Sequence, residues 1–220
     1  MSAFKILLIL SSVVSTAFYP CACRARSVDE RVFIVPAGAV DKSMLENIRQ
    51  RLPGDFPVKV KAAIDPQMEL PQTAYDASRR QYNAQVVIDE LSRKLRLTLV
   101  MERALVVTDA DLFVPELNFV FGLAEEKKGI CVISLVRLRN EFYGLKPDRR
   151  LFIDRAVKEA VHELGHSYGL QHCLKQRCAM FFSNDLADTD RKTEVFCVDC
   201  QRSLRKRYGS GLVGGALPKK

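Results

Sequence analysis

The 220-residue chain is 48 % hydrophobic, enough to bury a substantial core, and a single domain is the natural count for this length. Before the last dozen residues nothing in the composition fits a disordered, repetitive or low-complexity protein. The formal charge is +8, and residues 191–220 supply +6 of it, with eight lysines and arginines against two acids. A basic end can bind nucleic acid or acidic lipid, but a solvated tail is favoured, so we expect no nucleic-acid partner.

Residues 4–18 form an apolar run that is too short to span a membrane comfortably. The run resembles the core of a secretory signal, with the small residues Ser15, Thr16 and Ala17 as a candidate cleavage site. The early positive charge, Lys5, abuts the apolar run, which weakens the case for a secretory signal. Three interpretations therefore stay open: export, a misassigned start and an uncleaved extension. In each case residues 1–28 are predicted to lie outside the fold, and the chain is cytoplasmic or exported.

Short apolar runs alternate with amphipathic stretches up to residue 135, which predicts a mostly parallel sheet covered by helices. Five strands are predicted, at 31–36, 58–62, 104–108, 117–122 and 129–135. One helix is predicted from Asp41 to about Leu52, followed by a turn at 53–55, and Ser78 is the predicted cap of a second helix. The run 117–122 is the predicted antiparallel edge strand, where an extended peptide can pair through main-chain hydrogen bonds.

A longer amphipathic helix is predicted to begin at Asp148 and to lead into a histidine-rich motif. Its apolar stripe has gaps of one, three or four residues and consists of Leu151, Phe152, Ala156, Val157, Ala160, Val161 and Leu164. The charged residues Arg155, Lys158 and Glu159 fall between these positions. We therefore expect a helix that is packed on one side.

All three histidines of the chain fall in one stretch that reads H-E-x-x-H-x-x-G-x-x-H. On a helix, His162 and His166 lie on one face and can bind one ion. Gly169 allows the positive φ that ends a helix and turns the chain, which brings His172 back as a third ligand. Three protein ligands leave an open position for water, which is typical of a catalytic zinc, and Glu163 is then the candidate general base.

Two cysteine pairs follow the histidines, Cys173-x4-Cys178 and Cys197-x2-Cys200, with 18 residues between them. This spacing matches a structural zinc site with four thiolate ligands. Two disulfides are the rival interpretation, which an exported chain would permit. Zinc is favoured because a two-residue gap is a cramped loop for a disulfide and is common in zinc knuckles. Cys131, in an apolar strand, is predicted to be a buried free thiol.

Together these residues resemble the archaemetzincins, a branch of the metzincin zinc peptidases. The long histidine motif is shared by metzincins generally, whereas Cys173 directly after the third histidine and the distal cysteine pair point to this branch. Met180, in Cys178-Ala179-Met180, fits the methionine turn that lies beneath the catalytic metal in metzincins. The likeness covers residues 31–205, and the apolar leader and the Gly-rich basic end depart from it.

The resemblance implies an α+β, zincin-like fold with a twisted mixed five-stranded sheet, a backing helix and an active-site helix. A single catalytic domain would span residues 29–205, with an upper part to about 169, a lower part at 170–205 and a flexible basic tail at 206–220. The cysteine zinc would pin the small, irregular lower part. The resemblance further implies two zinc ions per chain, one catalytic and one structural. The expected substrate is a peptide or protein, and the expected state is a monomer.

Two alternatives stay open at the level of the sequence. One is a non-catalytic zinc module that binds a protein or nucleic acid through the cysteines and the basic tail. The other is a metzincin fold without general proteolytic activity. Within the peptidase interpretation the motif fits endopeptidase and aminopeptidase action equally.

Overall fold

The computed structural model describes residues 30–55, 60–95 and 102–208, so the predicted leader and residues 209–220 lie outside the described part. Within these ranges the chain forms eight strands and five α-helices. The strands are β1 (Glu30–Ala37), β2 (Val60–Ile64), β3 (Tyr75–Asp76), β4 (Gln81–Asn83), β5 (Glu102–Thr108), β6 (Leu112–Phe113), β7 (Gly122–Glu125) and β8 (Ile130–Ser134). The helices are α1 (Lys42–Asp55), α2 (Ala84–Leu95), α3 (Arg149–Ser167), α4 (Leu186–Arg191) and α5 (Val198–Tyr208).

Five of the strands form one mixed sheet in the order β2-β1-β5-β8-β7. The first four strands are parallel, with Ile34 of β1 opposite Leu105 of β5, and β7 runs antiparallel to β8 at the edge. The three remaining strands form a small second sheet in the order β3-β4-β6. The predicted α+β class and the mixed five-stranded sheet with an antiparallel edge are therefore confirmed.

Successive strand residues point to opposite sides of the sheet, and helices cover both of its faces. On one face Ile34 and Leu105 pack against α1 and α3, and α1 lies alongside α3 as the backing helix. On the other face Val35 and Val106 pack against α2. α3, which carries the histidine motif, is thus fixed by the sheet beneath it and by α1 beside it.

The edge strand lies slightly later in the chain than predicted. Residues 117–121 form a loop, and the strand covers Gly122–Glu125. The physical reason is that Val120 donates its N–H to the carbonyl of Leu112 at 2.9 Å, which draws the preceding segment towards the small second sheet. The prediction of an antiparallel edge strand is right, but its residue range is wrong.

Three other boundaries also differ from prediction. α1 continues through the predicted turn to Asp55, and β2 continues to residue 64, beyond the predicted end at 62, while residues 58 and 59 of the prediction lie outside the described residues. The cap of α2 is Asn83, whose side-chain oxygen accepts from the N–H of Gln85 at 3.0 Å. Ser78, the predicted cap, belongs to an earlier turn in which its N–H donates to Asp76 at 2.9 Å.

The charged residues of α3 are more buried than an amphipathic helix would suggest. Arg155 is 4 % exposed and Glu159 only 2 %. The reason is that α4 packs on the side of α3 that was predicted to be polar. There Asp190 forms a two-pronged ion pair with Arg155, at 2.7 and 2.8 Å, and Thr189 donates to Glu159 at 2.9 Å. The prediction that α3 packs on one side only is wrong.

The lower part, from residue 170 onward, consists of loops and the helices α4 and α5. α5 continues to Tyr208, so the first three residues of the predicted tail are helical. Among the described helices, none combines the length and apolar character needed to cross a bilayer.

The start of α3 follows the predicted capping, because the side chain of Asp148 accepts a hydrogen bond from the N–H of Leu151 at 2.9 Å. Asp148→Ala should lower the free energy of unfolding by about 1 kcal/mol, because the first turn loses this acceptor. Thermal unfolding followed by circular dichroism should show a melting temperature roughly 2–4 °C lower. Asp148→Asn keeps an acceptor and should melt close to the parent. Equal melting temperatures for parent and alanine variant would contradict the capping role.

Candidate active site

The three histidines of the motif meet at the C-terminal end of α3. The Nε2 atoms of His162 and His166 are 3.1 Å apart, and one ring nitrogen from each of the three histidines lies within 4.8 Å of the others. His162 is buried, whereas His172 is exposed and its ring packs edge-on against Phe182, with centroids 4.7 Å apart. The structure therefore brings together every histidine that the motif predicts.

A tight turn after α3 places the third histidine. Gly169 has φ +83°, and its N–H donates to the carbonyl of His166 at 2.8 Å. The N–H of Leu170 donates to the carbonyl of Gly165 at 3.0 Å. These two bonds form a Schellman motif, in which a glycine with positive φ ends the helix. The chain then reverses direction, so His172 returns to the end of the helix that it has just left.

The hydrogen bonds of two histidine rings determine which nitrogens face the centre of the site. The Nδ1 atoms of His162 and His166 lie 2.7 and 2.8 Å from the backbone carbonyls of Ala179 and Leu170. A carbonyl oxygen only accepts, so each Nδ1 must carry the proton. Burial lowers the pKa of His162, and it lowers the pKa of His166 to about 4, so both rings are neutral. Two Nε2 lone pairs then face each other, an arrangement that fits a bound cation.

Glu163 lies beside these histidines and lines the same cleft. Glu163 is 6 % exposed, and burial raises the pKa of its carboxyl to about 8, with a further contribution from Glu159. A divalent cation held by the histidines would oppose this shift, because a nearby positive charge favours the carboxylate. The residue can therefore accept a proton in the environment that the site would have when metal is bound.

Gly122 in the edge strand makes room for Glu163. A Cβ atom at this position would lie 2.5 Å from Cγ of Glu163 and 2.7 Å from the carbonyl oxygen of Val132. Such distances are too short for real contacts, so the Glu163 side chain or β7 would have to move. Nothing in the sequence marks this glycine, because the contact depends on how closely β7 approaches α3.

The histidines and Glu163 open into a cleft of about 640 Å³. One wall consists of β7 and the loop 117–121, and the opposite wall consists of α3 and the turn that follows it. Residues 182–184 of the lower part close one end. The cleft thus runs along β7, the edge strand of the main sheet in the described part of the chain, where an extended peptide can lie beside it.

The four cysteines form a second cluster, with all Sγ atoms within 4.8 Å of one another. Cys173 and Cys197 are 3.8 Å apart at sulfur, and Cys178 and Cys200 are 3.7 Å apart. Four sulfurs at about 2.3 Å from a tetrahedral zinc lie about 3.8 Å apart, and a disulfide bond is about 2.05 Å long. These separations therefore fit four thiolates around one zinc ion. The fifth described cysteine, Cys131, is fully buried in β8.

The start of α5 favours the thiolate form of one of these cysteines. Burial acts to raise the pKa of Cys197, but the backbone N–H groups of Cys200 and Asp199 point at its sulfur and lower the pKa to about 7. A cysteine at the N-terminus of a helix is commonly acidified in this way. Zinc binds thiolates, so the local backbone prepares this ligand for the metal.

Met180 connects the cysteine cluster to the histidines. Its side chain is fully buried and packs against Gly165 of α3, where a Cβ atom would collide with Sδ of Met180. The carbonyl of Met180 accepts from the N–H of Cys173 at 2.8 Å, and the preceding residue, Ala179, holds the ring of His162. The methionine therefore packs against the part of α3 that carries the histidines. Gly165 was not singled out from the sequence, although it lies inside the motif.

The fold and this site define a zinc-dependent metallopeptidase of the metzincin type. The family model described as peptidase family M54 matches residues 34–206, and the chain belongs to this family. Relatives that are named as archaemetzincins and as a zinc-dependent peptidase confirm the resemblance to the archaemetzincins and the use of Zn²⁺. Membership of a peptidase family implies a peptide or protein substrate.

Individual relatives agree with this assignment. The archaemetzincin of Pyrococcus furiosus is 40 % identical over 192 residues, which cover 84 % of this chain and 98 % of the relative. The crystal structure of the Methanopyrus kandleri archaemetzincin has a TM-score of 0.72 at 34 % identity and covers 83 % and 97 % of the two chains. A zinc-dependent peptidase from Methanocorpusculum labreanum has a TM-score of 0.72 at 31 % identity, covering 79 % and 99 %.

The close approach of β7 to α3 can be tested with Gly122→Ala. We expect peptide hydrolysis to fall by roughly 100-fold, because Glu163 is the candidate base and a displacement of about 1 Å at such a group has effects of this size. Zinc content should stay at the parent value, since the histidines are not touched. Gly38→Ala is the control, because a Cβ atom at this position would meet no atom within 4 Å. An alanine at the Gly38 φ of +78° is strained, so this control adds backbone strain without moving Glu163. If Gly122→Ala hydrolysed peptides as fast as the parent, Gly122 would not position Glu163.

Proposed function

We propose that the chain hydrolyses peptide bonds with Glu163 as the general base, beside a zinc ion held by His162, His166 and His172. The observation that carries the proposal is the pair of Nε2 atoms 3.1 Å apart, each with its Nδ1 proton committed to a backbone carbonyl. Neutral imidazoles that face each other in this way are arranged for a cation. Three protein ligands leave a further coordination position free for water or substrate.

A zinc ion held by His162, His166 and His172 would supply a bound water with a pKa near neutrality and a Lewis acid that polarises the scissile carbonyl. Glu163 takes a proton from the attacking water and passes it to the leaving amine, a contribution that is usually about 10²–10⁴-fold. Its buried position beside His162 keeps the carboxylate close to the reacting atoms and away from bulk water. Gly122 and β7 hold its side chain in place from the opposite wall.

The edge strand is the proposed binding surface for the substrate main chain. In the described residues β7 pairs with β8 on one side only, and it lines the cleft together with the histidines. An extended peptide can therefore add to the sheet through main-chain hydrogen bonds. The whole proposed site is formed by residues of one chain, and a monomer is sufficient for it.

A second zinc ion is proposed at Cys173, Cys178, Cys197 and Cys200, giving two per chain. The sulfur separations of 3.7 and 3.8 Å support four-thiolate binding. This ion has a structural role, because the lower part has few buried apolar side chains and metal binding can supply folding free energy. It holds the segment that carries Ala179 and Met180 against α3.

The role of Glu163 predicts a specific failure in the variant Glu163→Gln. The amide has nearly the same shape but cannot act as a base, so turnover should be lost while zinc binding is kept. A mixed peptide library incubated with the zinc-loaded parent and with the variant, followed by mass spectrometry, measures this difference. If the variant cleaved peptides as fast as the parent, the assignment of the base would be wrong.

Metal analysis tests the two proposed sites separately. Elemental analysis of the purified parent should give two zincs per chain. His166→Ala should leave one zinc per chain, because the histidine site then has only two protein ligands. The ion at this site is also open to competing ligands, since one coordination position is not filled by the protein. A chelator should likewise remove one ion readily from the parent, since four buried or half-buried thiolates protect the other. A parent with a single zinc that resists the chelator would instead favour a non-catalytic zinc module.

A further inference from the structure

The cleft contains a second buried carboxylate that the proposed mechanism does not use. Glu159 lies on α3, three residues before His162 and four before Glu163, so it faces the same side of the helix as both. It is only 2 % exposed, yet it lines the cleft. A buried carboxylate needs partners, because its desolvation costs free energy that only hydrogen bonds and opposite charges offset.

The partners of Glu159 hold the carboxylate from behind. Thr189 donates to Oε1 at 2.9 Å, and Nζ of Lys192 lies 3.0 Å from the same oxygen. The Lys192 side chain is completely buried and does not line the cleft. Within the described residues both contacts fall on Oε1, and Oε2 accepts no hydrogen bond. The carboxylate is thus fixed and charge-compensated on one side, and its other oxygen is available to a group in the cleft.

The charged side chains that line the described cleft are acidic. Four glutamates line the cleft, Glu125, Glu126, Glu159 and Glu163, and among its described lining residues there is no lysine or arginine. This charge is opposite to that of the chain as a whole, which is formally +8. Ser183, at the end of the cleft, also has a buried hydroxyl without a hydrogen-bond partner in the described part of the chain.

We propose that Glu159 is a specificity-determining residue, which selects substrates with a lysine or arginine side chain next to the scissile bond. An ammonium or guanidinium group would donate to Oε2, whereas an apolar side chain of the same length would cover this oxygen without pairing it. Lys192 does not recruit an acidic side chain from the cleft, because its side chain is completely buried and does not line the cleft. The inference rests on the proposed function, since it needs a substrate that is held at the histidine site.

The test uses ligands that bind the zinc-loaded protein without being cleaved. Two series of peptide hydroxamates carry either lysine or norleucine on one side or the other of the zinc-binding group. The two side chains have the same carbon skeleton and differ only in the ammonium group. Calorimetry should give tighter binding of the lysine member in one series, by roughly 10- to 100-fold, the range expected for a hydrogen bond to a charged group.

The variant for this test replaces both members of the buried pair, Glu159→Gln with Lys192→Met, because removing one alone leaves an uncompensated buried charge. In the double variant the preference for lysine should disappear, while zinc content and thermal unfolding stay near the parent. Glu126→Gln is the matched control for another cleft carboxylate. Glu126 pairs with the exposed Arg207 instead of a buried lysine, and the control should keep the preference.

Equal binding of the lysine and norleucine members by the parent in both series would overturn the inference, and this comparison needs no variant. A preference that survives in the double variant would also overturn it. These outcomes are separable from those of the hydrolysis proposal. Lysine-selective binding without any peptide cleavage would refute the catalytic mechanism and leave the Glu159 subsite standing. Peptide cleavage without a preference for lysine would refute the Glu159 subsite and leave the catalytic mechanism standing.

Discussion

The whole site depends on two hydrogen bonds from histidine rings to backbone carbonyls. They fix the protons on Nδ1 of His162 and His166, and the two Nε2 lone pairs therefore point into the same space. Neither carbonyl belongs to α3. That of Leu170 comes from the turn after the helix, and that of Ala179 comes from the lower part. The carbonyl of Leu170 lies inside the eleven-residue motif and that of Ala179 lies beyond it, so the motif turns both Nε2 atoms into one space only when the lower part is folded.

Spacing and ligand type made most of the site predictable from the sequence. Histidines four residues apart on a helix, a glycine at the helix end and two cysteine pairs have few geometrical solutions, so the grouping of these residues followed directly. The mixed sheet was predictable for a similar reason, because apolar runs alternate with helical stretches. Local signals were less reliable at boundaries, since Asn83 and Ser78 are equally good caps by residue type and only tertiary contacts decide between them.

Contacts between distant elements were not predictable. Gly122 is one of many glycines, and its role depends on how near β7 lies to Glu163. Glu159 and Arg155 are buried because α4 packs on them, and this six-residue helix begins more than 20 residues after both in the chain. Periodicity along one helix describes which residues share a face, but it does not reveal what packs on that face. The charged pair behind the cleft therefore became visible only in three dimensions.

Ala179 is flanked by Cys178, a member of the sulfur cluster, and by Met180, which packs under α3. A shift of this tripeptide would change the backbone acceptor that orients the His162 ring. The affinities of the two proposed metal centres would then be thermodynamically linked, and oxidation of the four thiols to disulfides would also weaken metal binding at the histidines. In a single short loop, the redox state of sulfur would thus be coupled to the capacity of the histidines to bind a Lewis acid.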